Sequence, residues 1–212
     1  MIKKEVEKIL QYVQKPARYV GGELNSVIKD PDKVDIRYAF CFPDIYEIGM
    51  SHLGMKILYG LVNDREDSWC ERVFAPDVDM EEQMRKNNVP LFALESGDYI
   101  KDFDIIGFTL MYELCYTNVL NMLDLAGIPL YSKDRTELAP IICVGGPCAC
   151  NPEPIADFVD IVFLGDGEDS TNAVLDLLKE CKKKGATKQE FLLKAKDITG
   201  VYIPSFYKDS YN

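Results

Sequence analysis

The chain predicts an α/β fold built on an open, mainly parallel sheet, and three observations lead there. Short apolar runs alternate with amphipathic stretches of helical period through residues 34–185. The runs at 105–110 (IIGFTL) and 141–144 (IICV) carry almost no polar residue, as strands covered on both faces require. Glycine-rich turns directly follow two buried runs, Gly145-Gly146-Pro147 after the fourth and Gly165-Asp166-Gly167-Glu168 after the fifth.

The elements follow in order. Residues 34–42 (VDIRYAFCF) are β-rich and stop at Pro43. A helix over 53–62 sets Ile57, Leu58, Leu61 and Val62 on one face. Residues 69–75 read as a second strand closed by Pro76. Asp79 with Glu82 then fits an N-cap and its reciprocal glutamate, opening a short helix to Lys86. Residues 90–94 fit a minor strand. After the strand at 105–110, the helix over 116–126 aligns Val119, Met122, Leu123 and Ala126, and Gly127 and Pro129 end it. Strands at 141–144 and 161–164 follow. The next helix carries Val174, Leu177, Leu178 and Cys181 and closes on Lys182-Lys183-Lys184-Gly185, where cations and a glycine suit a carboxyl terminus. Thr187 and Glu190 form a capping box for one more helix, to about Lys196. Right-handed crossovers turn this order into five strands in the flavodoxin-like (Rossmann-like) order 2-1-3-4-5, with helices on both faces. Residues 1–33 read as an N-terminal extension, 34–185 as the α/β domain and 186–212 as a C-terminal extension.

Composition narrows the function. The 212 residues are 47% hydrophobic and 28% charged, enough for one domain with a continuous core. The formal net charge of −11 comes with no basic stripe, which argues against a nucleic-acid partner and against an anionic membrane surface. Apolar runs are too short to span a bilayer, and the charged amino terminus lacks a signal core, so a cytoplasmic location is expected. Seven cysteines at irregular spacings do not form a secreted disulfide framework.

Chemistry should sit beyond the carboxyl ends of the strands. The loops there by sequence are 43–52, 111–116, 145–154 and 165–170. Neither glycine turn has the spacing of a phosphate-binding loop. They read either as tight turns or as places where backbone approaches a ligand, and a side chain added at Gly146 or Gly167 should then impair binding more than folding. Met111 and Tyr112 directly follow a strand and read as packing residues that could line a cavity. His52 is the single histidine, which excludes multi-histidine metal sites. It is either a ligand or proton donor at the crevice, or a helix-start residue bonded to backbone. Cys143, Cys148 and Cys150 have the spacing of neither a zinc pair nor a radical cluster and read as core packing. Asp157, Asp160, Asp166, Glu168 and Asp169 form an acidic neighbourhood that reads as solvated loop charges, with hard-metal binding as the alternative.

Four motifs in order resemble a known arrangement. They are HLGMKILY at 52–59, DIIGFT at 104–109, VGGPCACNPE at 144–153 and DIVFLGDGE at 160–168. Together they resemble the cobalamin-binding-like N-terminal domain of radical SAM proteins. KPARYVGGE at 15–23 and FPDIYEIGMSHLG at 42–54 resemble one functionally undefined subgroup. The resemblance implies an auxiliary domain that positions cobalamin or substrate beside a radical SAM barrel, in the same polypeptide or a partner chain. The [4Fe–4S] cluster and S-adenosylmethionine are then expected only in that downstream domain, since Cys-x3-Cys-x2-Cys is absent here. A corrin would lie near Thr109, Met111, Tyr112, Gly145, Gly146 and Pro147, with His52, Leu53 and Gly54 at the first loop and Gly165, Asp166, Gly167 and Glu168 near its tail. Methylmalonyl-CoA-mutase-like domains ligate cobalt through the histidine of Asp-x-His-x-x-Gly; here Met50 replaces the aspartate and Met55 the glycine, and many radical SAM relatives hold cobalamin without a histidine ligand. The alternative is a ligand-free module that packs on the barrel. A receiver-like or flavodoxin-like reading fails on its loops: Asp44 stands without an acidic partner, and residues 42–49 are not rich in hydroxyls.

Overall fold

The computed structural model describes residues 2–207. The last five residues of the expected C-terminal extension, 208–212, lie outside the described residues. In chain order the elements are α1 (Lys4–Leu10), β1 (Ile36–Phe42), α2 (Tyr46–Ser51), α3 (Leu53–Asn63), β2 (Ser68–Phe74) and α4 (Val78–Asn87). Then come β3 (Ile105–Thr109), α5 (Tyr116–Leu125), β4 (Ile141–Gly145), β5 (Ile161–Phe163), α6 (Gly167–Lys184), α7 (Lys188–Ala195) and β6 (Val201–Tyr202).

The sheet has six strands in the order β2-β1-β3-β4-β5-β6, not the five expected. The first five pair in parallel, in the order 2-1-3-4-5. The sixth pairs antiparallel to β5, through Val162 with Tyr202 and Phe163 with Val201. Two residues give no period to read, which is why the sequence does not betray this strand. The stretch at 90–94 is not a strand but holds a single antiparallel bridge, Phe92 with Tyr99. Helix α4 starts two residues earlier than the sequence suggests: Asp77, not Asp79, is its N-cap, and its side chain accepts from the Val78 N–H.

Strand alternation divides the core between two faces. Ala39, Cys41, Ile106, Phe108, Ile142 and Val144 point toward α1, α4 and α5. Tyr38, Phe40, Ile105, Ile141, Cys143 and Phe163 point toward α3, α6 and α7. Every residue of β3 is buried, so its run of apolar side chains is a direct consequence of two-sided cover.

The free edge of β2 is covered as well. Leu94 N–H donates to the Arg72 carbonyl, and the Glu95 carboxylate accepts from both the Arg72 backbone and its Nε, each at 2.7 Å. Glu71 pairs with Arg37 and accepts from Ser96 N–H. Charged residues within an edge strand thus tie down a covering loop and block edge-to-edge pairing. The N-terminal residues are fastened too. Val6, Ile9 and Val13 enter the core, and Lys29 Nζ donates to the carbonyls of Asn63, Arg65 and Ser68.

At the amino edge of β4 and β5, the fully buried Asp160 accepts from Arg135 Nη2 at 3.1 Å, from the Ile142 N–H at 2.8 Å and from Ser132 Oγ, and pairs with Lys188 Nζ at 2.7 Å. Asp160, expected from the sequence as a solvated loop charge, is instead one buried carboxylate that holds two buried cations from separate segments. Asp160→Ala should therefore cost about 3–5 kcal/mol, because both cations stay buried without their counter-charge. The urea midpoint would record this, and a loss under about 1 kcal/mol would contradict it.

Candidate functional site

The switch in strand order falls at β1, whose neighbours are β2 and β3. The loops after β1, β3, β4 and β5 all leave from the carboxyl edge, and they enclose a cavity of about 270 Å³. Its floor is the sheet face under α3 and α6, made by Tyr38, Phe40, Gly107, Cys143 and Phe163. Leu58 and Thr171 line the helix side.

The structure brings eleven of the thirteen sequence-predicted residues to this cavity. His52 and Gly54 come from the first loop, Thr109 and Met111 from the second. Gly145, Gly146 and Pro147 come from the third, and Gly165, Asp166, Gly167 and Glu168 from the fourth. Leu53 and Tyr112 do not line it. Leu53 is 68% exposed, and the Tyr112 hydroxyl donates to Asp44 Oδ2 at 2.5 Å. Sequence reasoning missed Tyr38 and Cys143, which read as ordinary core positions. The available signal was Gly107, an isolated glycine inside a buried strand, which marks close approach of another group.

Gly107 shows that approach directly. A Cβ there would sit 1.9 Å from Tyr38 Oη, 2.7 Å from Tyr38 Cζ and 3.2 Å from Cys143 Sγ. The phenol lies across the strand in the space a side chain would take. Gly146 has φ +99°, and a Cβ would meet the Leu110 backbone at 2.9 Å. The fold itself therefore requires this glycine, contrary to the expectation that a side chain there would disturb binding more than folding. Gly167 is different: its Cβ would meet nothing closer than Leu58 at 3.8 Å.

His52 joins two helices. Its backbone N–H donates to Gly49 O at the end of α2, and its Nδ1 accepts the Met55 N–H at 3.1 Å at the start of α3. The ring packs against Phe42 with centroids 5.3 Å apart. Burial lowers its pKa from the ordinary value. A neutral imidazole that accepts at Nδ1 carries its proton on Nε2. The ring therefore offers the cavity a donor rather than a lone pair. The helix-start role is the one the structure shows.

At α6 the N-cap residue Asp166 makes no side-chain cap hydrogen bond. The first turn of that helix, flanked by Asp166 and Glu168, faces the cavity mouth. The cysteines part company here. Cys143 is buried in the sheet, Cys148 is half-buried and Cys150 is exposed, so the last is not core packing. Among the described residues no group of three or more His, Cys, Asp or Glu side chains could hold a metal ion. Nor is any helix among them long and apolar enough to cross a membrane.

A larger cavity of about 600 Å³ lies at the opposite, amino edge, over Arg135 and Lys188. The Lys188 ammonium there already serves Asp160 and the carbonyls of Ser132 and Arg135, so this cluster fastens the fold.

The sheet order and the glycine-lined cavity at its switch point define a doubly wound α/β domain. The family model described as radical SAM proteins, N-terminal, matches residues 54–204, and the chain belongs to this family. It is similar to an uncharacterized protein of Methanocaldococcus jannaschii, 28% identical over 174 residues, which cover 81% of this chain. The match spans 30% of that relative's length. No solved structure matches.

Two tests follow from this geometry. Gly107→Ala should destabilise by about 2 kcal/mol through overpacking against Tyr38. In Tyr38→Ala the same change should cost much less, and equal costs in both backgrounds would refute the contact. His52→Ala should lose about 1 kcal/mol of capping at pH 7.5. Because the folded pKa of His52 is depressed, the unfolded chain takes up the proton first as pH falls. The cap's contribution is whole above the unfolded pKa near 6.5 and is lost as pH falls through the lower folded value. The stability gap between wild type and His52→Ala should narrow over that window. A constant gap from pH 7.5 to 5 would contradict the cap.

Proposed function

We propose that this chain is the ligand-holding auxiliary domain of a radical SAM enzyme, presenting cobalamin or substrate at the carboxyl edge of its sheet toward a barrel supplied by the same polypeptide or a partner. The observation that carries the reading is the single cavity formed by the four post-strand loops. Such a barrel would supply the iron–sulfur cluster and S-adenosylmethionine, while the residues of this chain hold and orient.

A corrinoid at this edge would meet the four loops from outside the cavity. The cavity is too small for a corrin ring, so the ring would rest on the rim, over Gly145 and Gly146 and beside Gly165. Gly165 has φ +90° and open space where a Cβ would stand, which leaves its backbone accessible. An imidazole ligand does not fit, since the Nδ1 of His52 is engaged in the cap and its Nε2 carries the proton. The Asp-x-His pattern that would reorient the ring is replaced by Met50. When bound, cobalamin supplies a cobalt centre able to carry a methyl group. The backbone at Gly145, Gly146 and Gly165 would hold its periphery.

A second reading has its own support. Ile48, Leu53, Ile57, Leu114 and Leu164 are large apolar side chains left exposed in the segments that follow β1, β3 and β5. Such a fringe suits a domain that packs on a barrel without any ligand.

Titration with cob(II)alamin separates the readings. Binding should weaken at least ten-fold in Gly167→Val, with thermal stability retained. His52→Ala should leave the paramagnetic spectrum of the bound cofactor unchanged. Nitrogen superhyperfine splitting that vanishes in His52→Ala would overturn the mode of binding. Absence of corrinoid binding in this chain and in the longer protein would favour the packing module.

A further inference from the structure

The polar groups on the floor of the cavity are few, and they are poorly matched. Tyr38 is 5% exposed, and the contact its hydroxyl makes among the described residues is with Cys143 Sγ at 3.8 Å. Thr109 Oγ1 likewise reaches Met111 Sδ at 3.8 Å. Thiol and thioether sulfurs are weak acceptors, so neither hydroxyl has recovered what it lost by leaving water. A phenylalanine at 38 would fill the same volume with no hydroxyl to desolvate. Gly107 also gives up a side chain inside a buried strand, a backbone-entropy cost that alanine would avoid, so that the phenol can lie there. Two unfavourable choices at one spot call for a compensating partner.

The surroundings restrict that partner's charge. No charged side chain lines the floor, where Phe40, Gly107 and Cys143 lie against Tyr38 and Phe163 adds further apolar cover. The charges at the mouth are the carboxylates Asp166 and Glu168, which repel anions. Burial holds the Tyr38 hydroxyl protonated, and so a donor, throughout the physiological range.

We infer that Tyr38 is the selectivity residue of this cavity, donating from its hydroxyl to a single acceptor on an uncharged, otherwise apolar group of the ligand. This rests on the cavity being the ligand site, and it names the chemistry of the part of the ligand that enters. An anionic group is excluded from the floor twice, by desolvation and by the two carboxylates. A hydrocarbon group enters but leaves the hydroxyl with its weak Cys143 contact alone.

Two probes of equal shape test this on the whole chain at pH 8, where both are neutral: 4-methylpyridine, which carries one ring-nitrogen acceptor, and toluene, which carries none. Backbone amide NMR shifts locate each probe and give its affinity. Both should perturb Gly107, Thr109 and Gly145. The ratio of 4-methylpyridine affinity to toluene affinity should fall about ten-fold in Tyr38→Phe, with toluene affinity nearly unchanged. In the wild type the Tyr38 Cζ resonance should respond to 4-methylpyridine and not to toluene, a measurement that stands even if the variant folds poorly. A ratio unaffected by Tyr38→Phe, or a Cζ resonance indifferent to both probes, would overturn the assignment of Tyr38 while leaving the cavity as the ligand site. Failure of both probes to shift these amides would overturn the cavity reading and this inference together.

Discussion

The third strand must cross the middle of a six-stranded sheet with apolar cover on both faces, and the carboxyl-edge geometry depends on that constraint. Two-sided burial forces β3 to alternate its side chains between two separate cores. On one face it supplies Ile106 and Phe108 to the helices α1, α4 and α5. On the other it supplies Ile105 and then, at Gly107, nothing. The vacancy is taken by Tyr38 from the neighbouring strand, whose hydroxyl would overlap any Cβ there. The floor of the cavity is therefore set by a backbone position as much as by the phenol. A side chain at 107 would push Tyr38 up into the space that a ligand would enter.

Charge is distributed in keeping with that plan. The acidic excess of the chain is largely solvated, while its buried charges are paired and placed where segments must be held. Arg72 with Glu95, Arg37 with Glu71, and Asp160 between Arg135 and Lys188 fasten the β2 edge and the amino edge of the sheet. Such pairs add little net stability over apolar replacements, yet losing one partner is expensive. They fix register and loop position instead. The cavity floor, by contrast, contains no ion pair and no charged side chain. The domain spends its ionic contacts on its frame and keeps its crevice neutral.

Much of this was legible in the sequence, and the reasons differ by element. The strands β3, β4 and β5 announced themselves because two-sided burial leaves continuous apolar runs, while β1 and β2, which carry Arg37, Glu71 and Arg72, showed as β-rich stretches closed by Pro43 and Pro76. The helices α3, α5, α6 and α7 showed their period and caps, and the Thr187–Glu190 capping box is present as the spacing implies. The lining of the candidate cavity was legible because glycines directly after strands are informative about backbone approach. Other features left no such trace. Helix α2 spans six residues, too short to display a period, and its end is capped by the backbone of His52 rather than by a signalling side chain. Asp77 and Asp79 both look like caps, and only the chain path distinguishes them. Tyr38 follows the strand alternation faithfully, so nothing about its own position separates a core tyrosine from one that faces a cavity.

The sixth strand shows how an element invisible in the sequence still shapes the site. Val201 and Tyr202 pair with the end of β5, just before the turn that carries Gly165, Asp166 and Gly167 to the cavity mouth. Leu164 N–H donates to the Gly200 carbonyl at 2.7 Å, extending that pairing by one residue toward the rim. Gly200 has φ +81°, and a Cβ there would stand 3.0 Å from Leu164 O, so the close approach needs glycine. Open space surrounds Gly165, and the N-cap Asp166 makes no side-chain cap hydrogen bond, so neither fixes this turn from within. The antiparallel strand is what holds it from outside. A rim that is conformationally free at its glycine but anchored on both sides, by β5 and β6 before it and by α6 after it, can present backbone groups to a ligand without losing its place in the fold.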